Sequence, residues 1–449
     1  MIRITYQSTA NDILDILARP PHAGRDMDAA SDGNTDDSEA PARSRVRSLA
    51  VAVAGFSTFL GLYAPQPLLG HFERVFAASK AEVALTVSAP TAAVALFAPL
   101  VGLIADRTGR RRLIVAALVV LAAVTALAAT APGLRALIGW RFAEGAAICG
   151  AYVVCLSYLT EETSPRALGG ALGAMVTGNV LGGFFGRVIA GAFTEASGWR
   201  SAFLALGAVR LTGALVVWRV LPASRRFTPR RGGRPGAILR ARALVAPELL
   251  ASFAIGFCNL FSLVALFTYA GFYLGAPPFR LGPGAIGALF TVYLVGVVVT
   301  PVASRWVDSV GSRRMIACSL SIGAAGAALT LVPSIACVLA GLAIAASAAF
   351  VAQVAATSYL RIAAPAPLRS LASGVYVTCY YIGGSVAGVL PGLLWARAGW
   401  AGTVSFAVAA QLVAIALSSR AWRGPTAAPP RAALGLGPLT RSGWPGAPE

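Results

Sequence analysis

Long apolar runs separated by short polar gaps organise this chain from about residue 48 to about residue 418. A helix needs about 20 apolar residues to cross a bilayer, and twelve runs meet that length. Six lie at roughly 48–70, 83–104, 113–131, 134–158, 168–193 and 200–220. Six more follow at roughly 248–274, 284–303, 315–332, 335–359, 370–394 and 400–418. The pattern predicts an all-α membrane protein of twelve transmembrane helices in two six-helix bundles, 47–221 and 247–419, joined by a basic cytoplasmic linker, 222–246. Pro65, Pro67, Pro301 and Pro391 fall within or near the ends of runs, where membrane helices tolerate them as kinks. Residues 1–46, with Asp26, Asp28, Asp32, Asp36, Asp37 and Glu39 among Ala, Ser, Gly and Pro, read as a disordered cytoplasmic tail without a signal-peptide pattern. The Pro/Gly/Arg-rich stretch 420–449 reads as a second.

Composition supports the membrane reading, because 57% of residues are hydrophobic and 12% charged, against about a quarter charged in a soluble protein. A net charge of +19 raises the question of nucleic acid. The arginines, however, crowd into every second gap: Arg107 and Arg110 to Arg112, then Arg225 to Arg242, then Arg305, Arg313 and Arg314, then the C-terminal tail. That alternation follows the positive-inside rule, excludes a nucleic-acid partner, and places both termini in the cytoplasm of a cell carrying the protein in its inner membrane. All six cysteines lie in apolar runs and His22 and His71 lie outside them, so neither a disulfide framework nor a metal site is expected. Phosphate-binding G-x-x-x-x-G-K-[ST] is absent and Lys80 is the sole lysine, which argues against ATP drive within this chain.

The second half repeats the first. Gly102-Leu-Ile-Ala-Asp106-Arg-Thr-Gly109-Arg-Arg-Arg112 returns 202 positions later as Ser304-Arg-Trp-Val-Asp308-Ser-Val-Gly311-Ser-Arg-Arg314. Gly182-Gly183, Gly191 and Gly198-Trp199 return as Gly383-Gly384, Gly392 and Gly399-Trp400, each 201 positions on. Such internal duplication marks transporters built from homologous halves. Over about 48–418 the chain resembles the major facilitator superfamily: the loop between runs two and three matches the family signature G-x-L-a-D-r-x-G-r-r, and Leu137-x3-Arg141-x2-Glu144-Gly145 resembles its run-four motif. Tyr63-Ala-Pro65-Gln66-Pro67 and Gly178-Asn179-x2-Gly182-Gly183-x2-Gly186-Arg187 are similar to bacterial efflux members of the acriflavine-resistance-like branch. One departure stands out: the G-P-x-x-G-G motif of the best-known drug/proton antiporters finds Asn179, Val180 and Leu181 here, and no proline. The resemblance implies a cytoplasmic gate in which Asp106 sits near the start of helix eleven, around Leu371, with Asp308 mirrored against helix five. Gly102, Gly109, Arg110, Gly311 and Arg313 complete that gate; alternatively the arginines serve topology alone.

Acids deep within a bilayer are costly and therefore informative. Glu144 is the one well inside a run, with Arg141 one turn away on the same helix face. The pair reads either as a proton-coupling device or as a permanently ionised structural contact. Arg187 and Arg210 also fall within runs; Arg210 is expected to face a cavity, and Arg187, nearer the outer end, either to reach the interface or to meet substrate or pair with Glu144. Gln66, Asn179, Asn259, Tyr269, Gln353, Tyr376 and Tyr380 lie on runs that line the cavity in the resembled family, and are substrate-binding candidates or helix-to-helix hydrogen bonders. With no intramembrane His, Asp dyad or metal cluster, an enzyme is not expected, nor a cofactor. A non-transporting sensor would need a signalling domain or loss of both gate loops. The expected function is a monomeric secondary transporter exporting a small molecule with proton coupling; the alternative is proton symport or facilitated uptake of a small metabolite, anionic ones included.

Overall fold

The computed structural model describes residues 41–105, 109–224, 244–365 and 368–422. The expected tails and linker lie largely outside the described residues. Every element within them is a helix. Among the described residues, nine helical stretches are long and apolar enough to cross a bilayer. The last, within Arg369–Ala421, turns at Gly399 and makes two spans. Pro41–Phe59 and Ser312–Leu329 bring the spans to twelve, their mean hydropathy lowered by Arg43, Arg45 and Arg47 and by Arg313 and Arg314. Six spans precede residue 224 and six follow residue 244.

Span one is broken. Pro41–Phe59 gives way to a run of turns, a 3-10 turn at Gln66–Leu68 and a short helix, Leu69–Phe76. Pro65 and Pro67 carry no N–H, so the α-helical ladder stops there. Leu62 N donates to Phe59 O and Gln66 N to Tyr63 O, three residues back rather than four. That tightening leaves the carbonyls of Thr58 and Leu62 free for other donors. Span eight is broken likewise, with a 3-10 turn at Phe290–Leu294 between Pro283–Leu289 and Val295–Val310.

The duplication extends to packing. Gly182 in span five lies directly against the Phe56 carbonyl of span one, and Gly383 in span eleven against the Phe257 carbonyl of span seven; both partners shift by the same 201 positions. Gly55 meets Met175 and Asn179, while Gly256 meets the Tyr376 ring, again at that shift. Gly178, Gly182 and Gly186 form one small-residue ridge over the carbonyls of Ala52, Phe56 and Leu60, the close approach that membrane helices use in place of hydrophobic attraction. The corners between spans five and six and between eleven and twelve fall on Gly198 and Gly399, with φ of 85° and 52°.

Among the described residues, the halves meet at the end opposite the arginine-rich loops. Hydrogen bonds between them lie on the segments leading from that end, among them Gln66 to Thr268, Gly284 N to Glu195, and Thr91 and Ser88 to Ser385. The Lys80 ammonium, paired with Glu73 of its own half, reaches over Phe272 (5.3 Å) and Trp395 (5.9 Å) of the other.

Candidate functional site

Glu144 sits at the centre of the N-terminal bundle, with no exposed surface. Arg141 and Arg210, both equally enclosed, grip one carboxylate oxygen each. The remaining donors are satisfied by neighbouring spans. Arg141 Nε donates to Thr86 O (2.9 Å) and Nη2 to Leu62 O (2.7 Å). Arg210 Nε donates to Ser57 O (3.0 Å), Nη2 to Thr58 O (3.2 Å) and Nη1 to the Thr125 hydroxyl. Spans one, two, three, four and six thus converge on one carboxylate. The break in span one matters here, because the two carbonyls it frees are both taken, Leu62 O by Arg141 and Thr58 O by Arg210. Burying ions is tolerable only with such complete satisfaction. Arg210, expected to face a cavity, is instead enclosed in this cluster, and it is Arg210 rather than Arg187 that joins Glu144.

Arg187 occupies a different place, between the halves. It is 1% exposed. Its Nε donates to Gln66 Oε1 (2.7 Å) and Nη1 to Gly183 O (2.6 Å). Gln66 passes the contact across, its amide nitrogen donating to the Thr268 hydroxyl of span seven at 3.0 Å. Three rings surround the guanidinium carbon: Tyr63 at 5.2 Å, Phe290 at 4.7 Å and Tyr293 at 4.5 Å. Those distances fall in the range where a cation is attracted to a ring face. Nη2 has no hydrogen-bond partner.

The candidates of the C-terminal bundle form a second group. Asn259 donates to Ala349 O (3.1 Å) and to Gln353 Oε1 (3.3 Å), which also accepts from Tyr376 OH (3.0 Å). Tyr380 lies nearly parallel to Tyr376, ring centres 6.2 Å apart. Tyr269 is placed elsewhere: its hydroxyl donates to Gly388 O (2.7 Å) and its ring stacks on Trp395, tying span seven to span eleven. Asn179, with its amide nitrogen turned inward, donates to Met175 O (3.1 Å) and Gly55 O (3.3 Å) and holds span five to span one.

Of the gate residues, Asp106 lies outside the described residues, as does the side chain of Asp308. Gly102 falls in the final turns of Lys80–Ala105. Gly109 precedes Arg110–Ala128 with φ −59°, whereas Gly311 precedes its helix with φ 85°. Arg110 grips Glu161 at the end of span four through Nε (3.0 Å) and Nη2 (2.7 Å); Arg313 is exposed.

Sequence reasoning missed Thr125, Glu161, Thr268, Phe290 and Tyr293, and quoted Tyr63 only within a motif. The spacings Tyr63-x-x-Gln66 and Phe290-x-x-Tyr293 put each pair on one helix face and were the available signal; their meeting at Arg187 depends on tertiary contacts.

Comparison with known proteins matches residues 51–284 and 276–444 to the family model of the Major Facilitator Superfamily. YybF of Bacillus subtilis, an uncharacterized MFS-type transporter, is 31% identical over 373 residues, which is 83% of this chain and 92% of that protein. The inner membrane transport protein YnfM of Escherichia coli is 31% identical over 381 residues, 84% of this chain and 90% of its own. Among solved structures, a bacterial homologue of the human lysosomal transporter Spinster, inward-facing and unoccupied, superposes with a TM-score of 0.72 at 16% identity, covering 85% of this chain and 96% of that one.

Proposed function

The chain belongs to the major facilitator superfamily, and on that footing we propose that this multi-pass membrane transporter exports a small molecule by proton-coupled alternating access. The observation that carries the coupling is the Glu144 cluster. One carboxylate holds two guanidinium groups that reach into five spans, so adding a proton removes the charge on which their positions depend. Arg141 and Arg210 are then two neighbouring buried cations held by carbonyls and the Thr125 hydroxyl alone, and their repulsion drives the bundle to relax around them. A protonation event at one atom is thereby felt across the N-terminal half.

The export reading takes support from where the described residues of the two halves touch. The positive-inside rule assigns the arginine-rich loops to the cytoplasm, with both termini, so the closed end faces out and the route between the halves opens inward. An exporter loads in that state and an importer unloads in it, so the sign of coupled flux tells them apart. The acriflavine-resistance-like placement belongs to this proposal; a Multidrug resistance protein B homolog of Mycobacterium tuberculosis is similar at 30% identity over 150 residues, 33% of this chain and 28% of that protein. The protein would act as a monomer in a bacterial inner membrane, exchanging its small-molecule substrate for protons. Proton symport or facilitated uptake of a small metabolite is the alternative, and it differs in the sign of coupling.

The test is flux in proteoliposomes holding the full chain, with an imposed pH gradient and a panel of labelled drugs and metabolites. Wild type should move a substrate opposite to the proton gradient. Glu144→Gln should abolish gradient-driven flux while retaining substrate exchange at zero gradient. Undiminished gradient-driven flux in that variant would remove Glu144 from coupling, and co-directional movement would select symport.

A further inference from the structure

Three arginines lie enclosed deep within spans: Arg141, Arg187 and Arg210. Arg141 and Arg210 share Glu144. Arg187 has no carboxylate partner among the described residues. It is held instead by a neutral amide, a carbonyl, the neutral Tyr293 hydroxyl and three aromatic rings, with Nη2 making no close hydrogen bond. An enclosed cation without a counter-charge is retained against a desolvation cost, and ring faces compensate a full positive charge only in part. The missing counter-charge is the clue.

We infer that the substrate is an organic anion with a flat apolar body, and that Arg187 is its anchor; the inference rests on the transporter reading above. A guanidinium presents a planar fork that a carboxylate meets in two-point fashion. Nη2 is the edge left for it. Tyr63, Phe290 and Tyr293 supply ring faces on which a flat body packs. The three rings come from both halves, Tyr63 from span one and the other two from span eight. Gln66, on Arg187 Nε, also carries the hydrogen bond to Thr268 across the halves. An arriving carboxylate competes for Arg187 with Gln66 and with the rings of span eight. Loading from the open side thus loosens contacts that keep the far end shut, and an exporter needs that order of events.

The experiment uses the purified full chain and three probes of one shape: 2-naphthoate, 2-naphthamide and 2-naphthylmethylammonium. Binding is read by thermal stabilisation and by tryptophan quenching. Naphthoate should bind at least tenfold more tightly than either analogue. Arg187→Gln should weaken naphthoate at least tenfold and melt no lower than wild type, since it removes an uncompensated charge; Arg187→Lys should fall between. Equal binding of the amide or the ammonium, no binding of naphthoate, or naphthoate binding indifferent to Arg187→Gln overturns the inference. If Arg187→Gln fails to fold, the wild-type preference for naphthoate over naphthamide decides alone. Liposome flux separates the two readings. Arg187-dependent binding without flux in either direction keeps the anion site and sinks the transporter reading, whereas flux of the ammonium that ignores Arg187→Gln does the reverse.

Discussion

Charge arithmetic at Glu144 predicts an unequal pair of losses. Removing the carboxylate strands two buried cations, whereas removing Arg210 leaves Glu144 neutralised by Arg141. Glu144→Leu should therefore cost about 3–5 kcal/mol, the range for breaking a buried ion pair, and Arg210→Met distinctly less. Thermal unfolding of the two variants in one detergent gives the comparison, and equal losses would mean the carbonyls, not the carboxylate, hold the arginines. The residues of this cluster differ in how visible they were beforehand. Arg141 and Glu144 stand three apart on one helix and announce each other. Arg210 joins from 66 positions away, and no local spacing encodes that. The same holds for Arg187, whose rings come from two breaks in two different halves.

Breaks and close approaches carry the information at the level of elements. An added methyl at Gly182 or Gly383 would press into a main-chain carbonyl that cannot retreat. Gly182→Ala and Gly383→Ala should each destabilise by about 1–3 kcal/mol, while Gly173→Ala, which points into open space, should be silent. Matched melting shifts for the first pair would express the duplication as energy. The two loop glycines should behave differently from each other. Gly311 adopts a positive φ and Gly109 does not, so Gly311→Ala should cost about 1–3 kcal/mol and Gly109→Ala almost nothing. Loss of stability in both would show that the repeat motif constrains backbone in either copy. Pro65 and Pro67 made the interruption of span one legible in the sequence. The interruption of span eight at Phe290–Leu294 was not, because Pro301 lies beyond it and the break there has no proline of its own.

Taken as one body, the described residues form two bundles whose hydrogen bonds to each other lie toward one end. The Thr91 and Ser385 hydroxyls are 2.9 Å apart across that contact. In a background with the native cysteines replaced, Thr91→Cys with Ser385→Cys should cross-link under mild oxidation, halt transport, and recover on reduction. Transport that continues while the bridge is intact would mean the halves need not part there. The two-bundle plan and its duplication were legible from apolar periodicity and from Gly182, Gly191 and Gly198 recurring at one offset. The closed end was not, since alternating access gives one sequence more than one arrangement of its halves.

Lys80 gives the chain a chemical marker of its own. It is the sole lysine in 449 residues, and its ammonium lies at the shut end, over two rings of the opposite half. Separation of the halves must lift it off those rings. On the export reading, which turns that end outward, an acylating reagent that cannot cross lipid, applied from outside, would tag one side chain at a rate that follows the outward-open population. Peptide mass analysis would read the conformational cycle without any introduced label, and added substrate should speed the tagging.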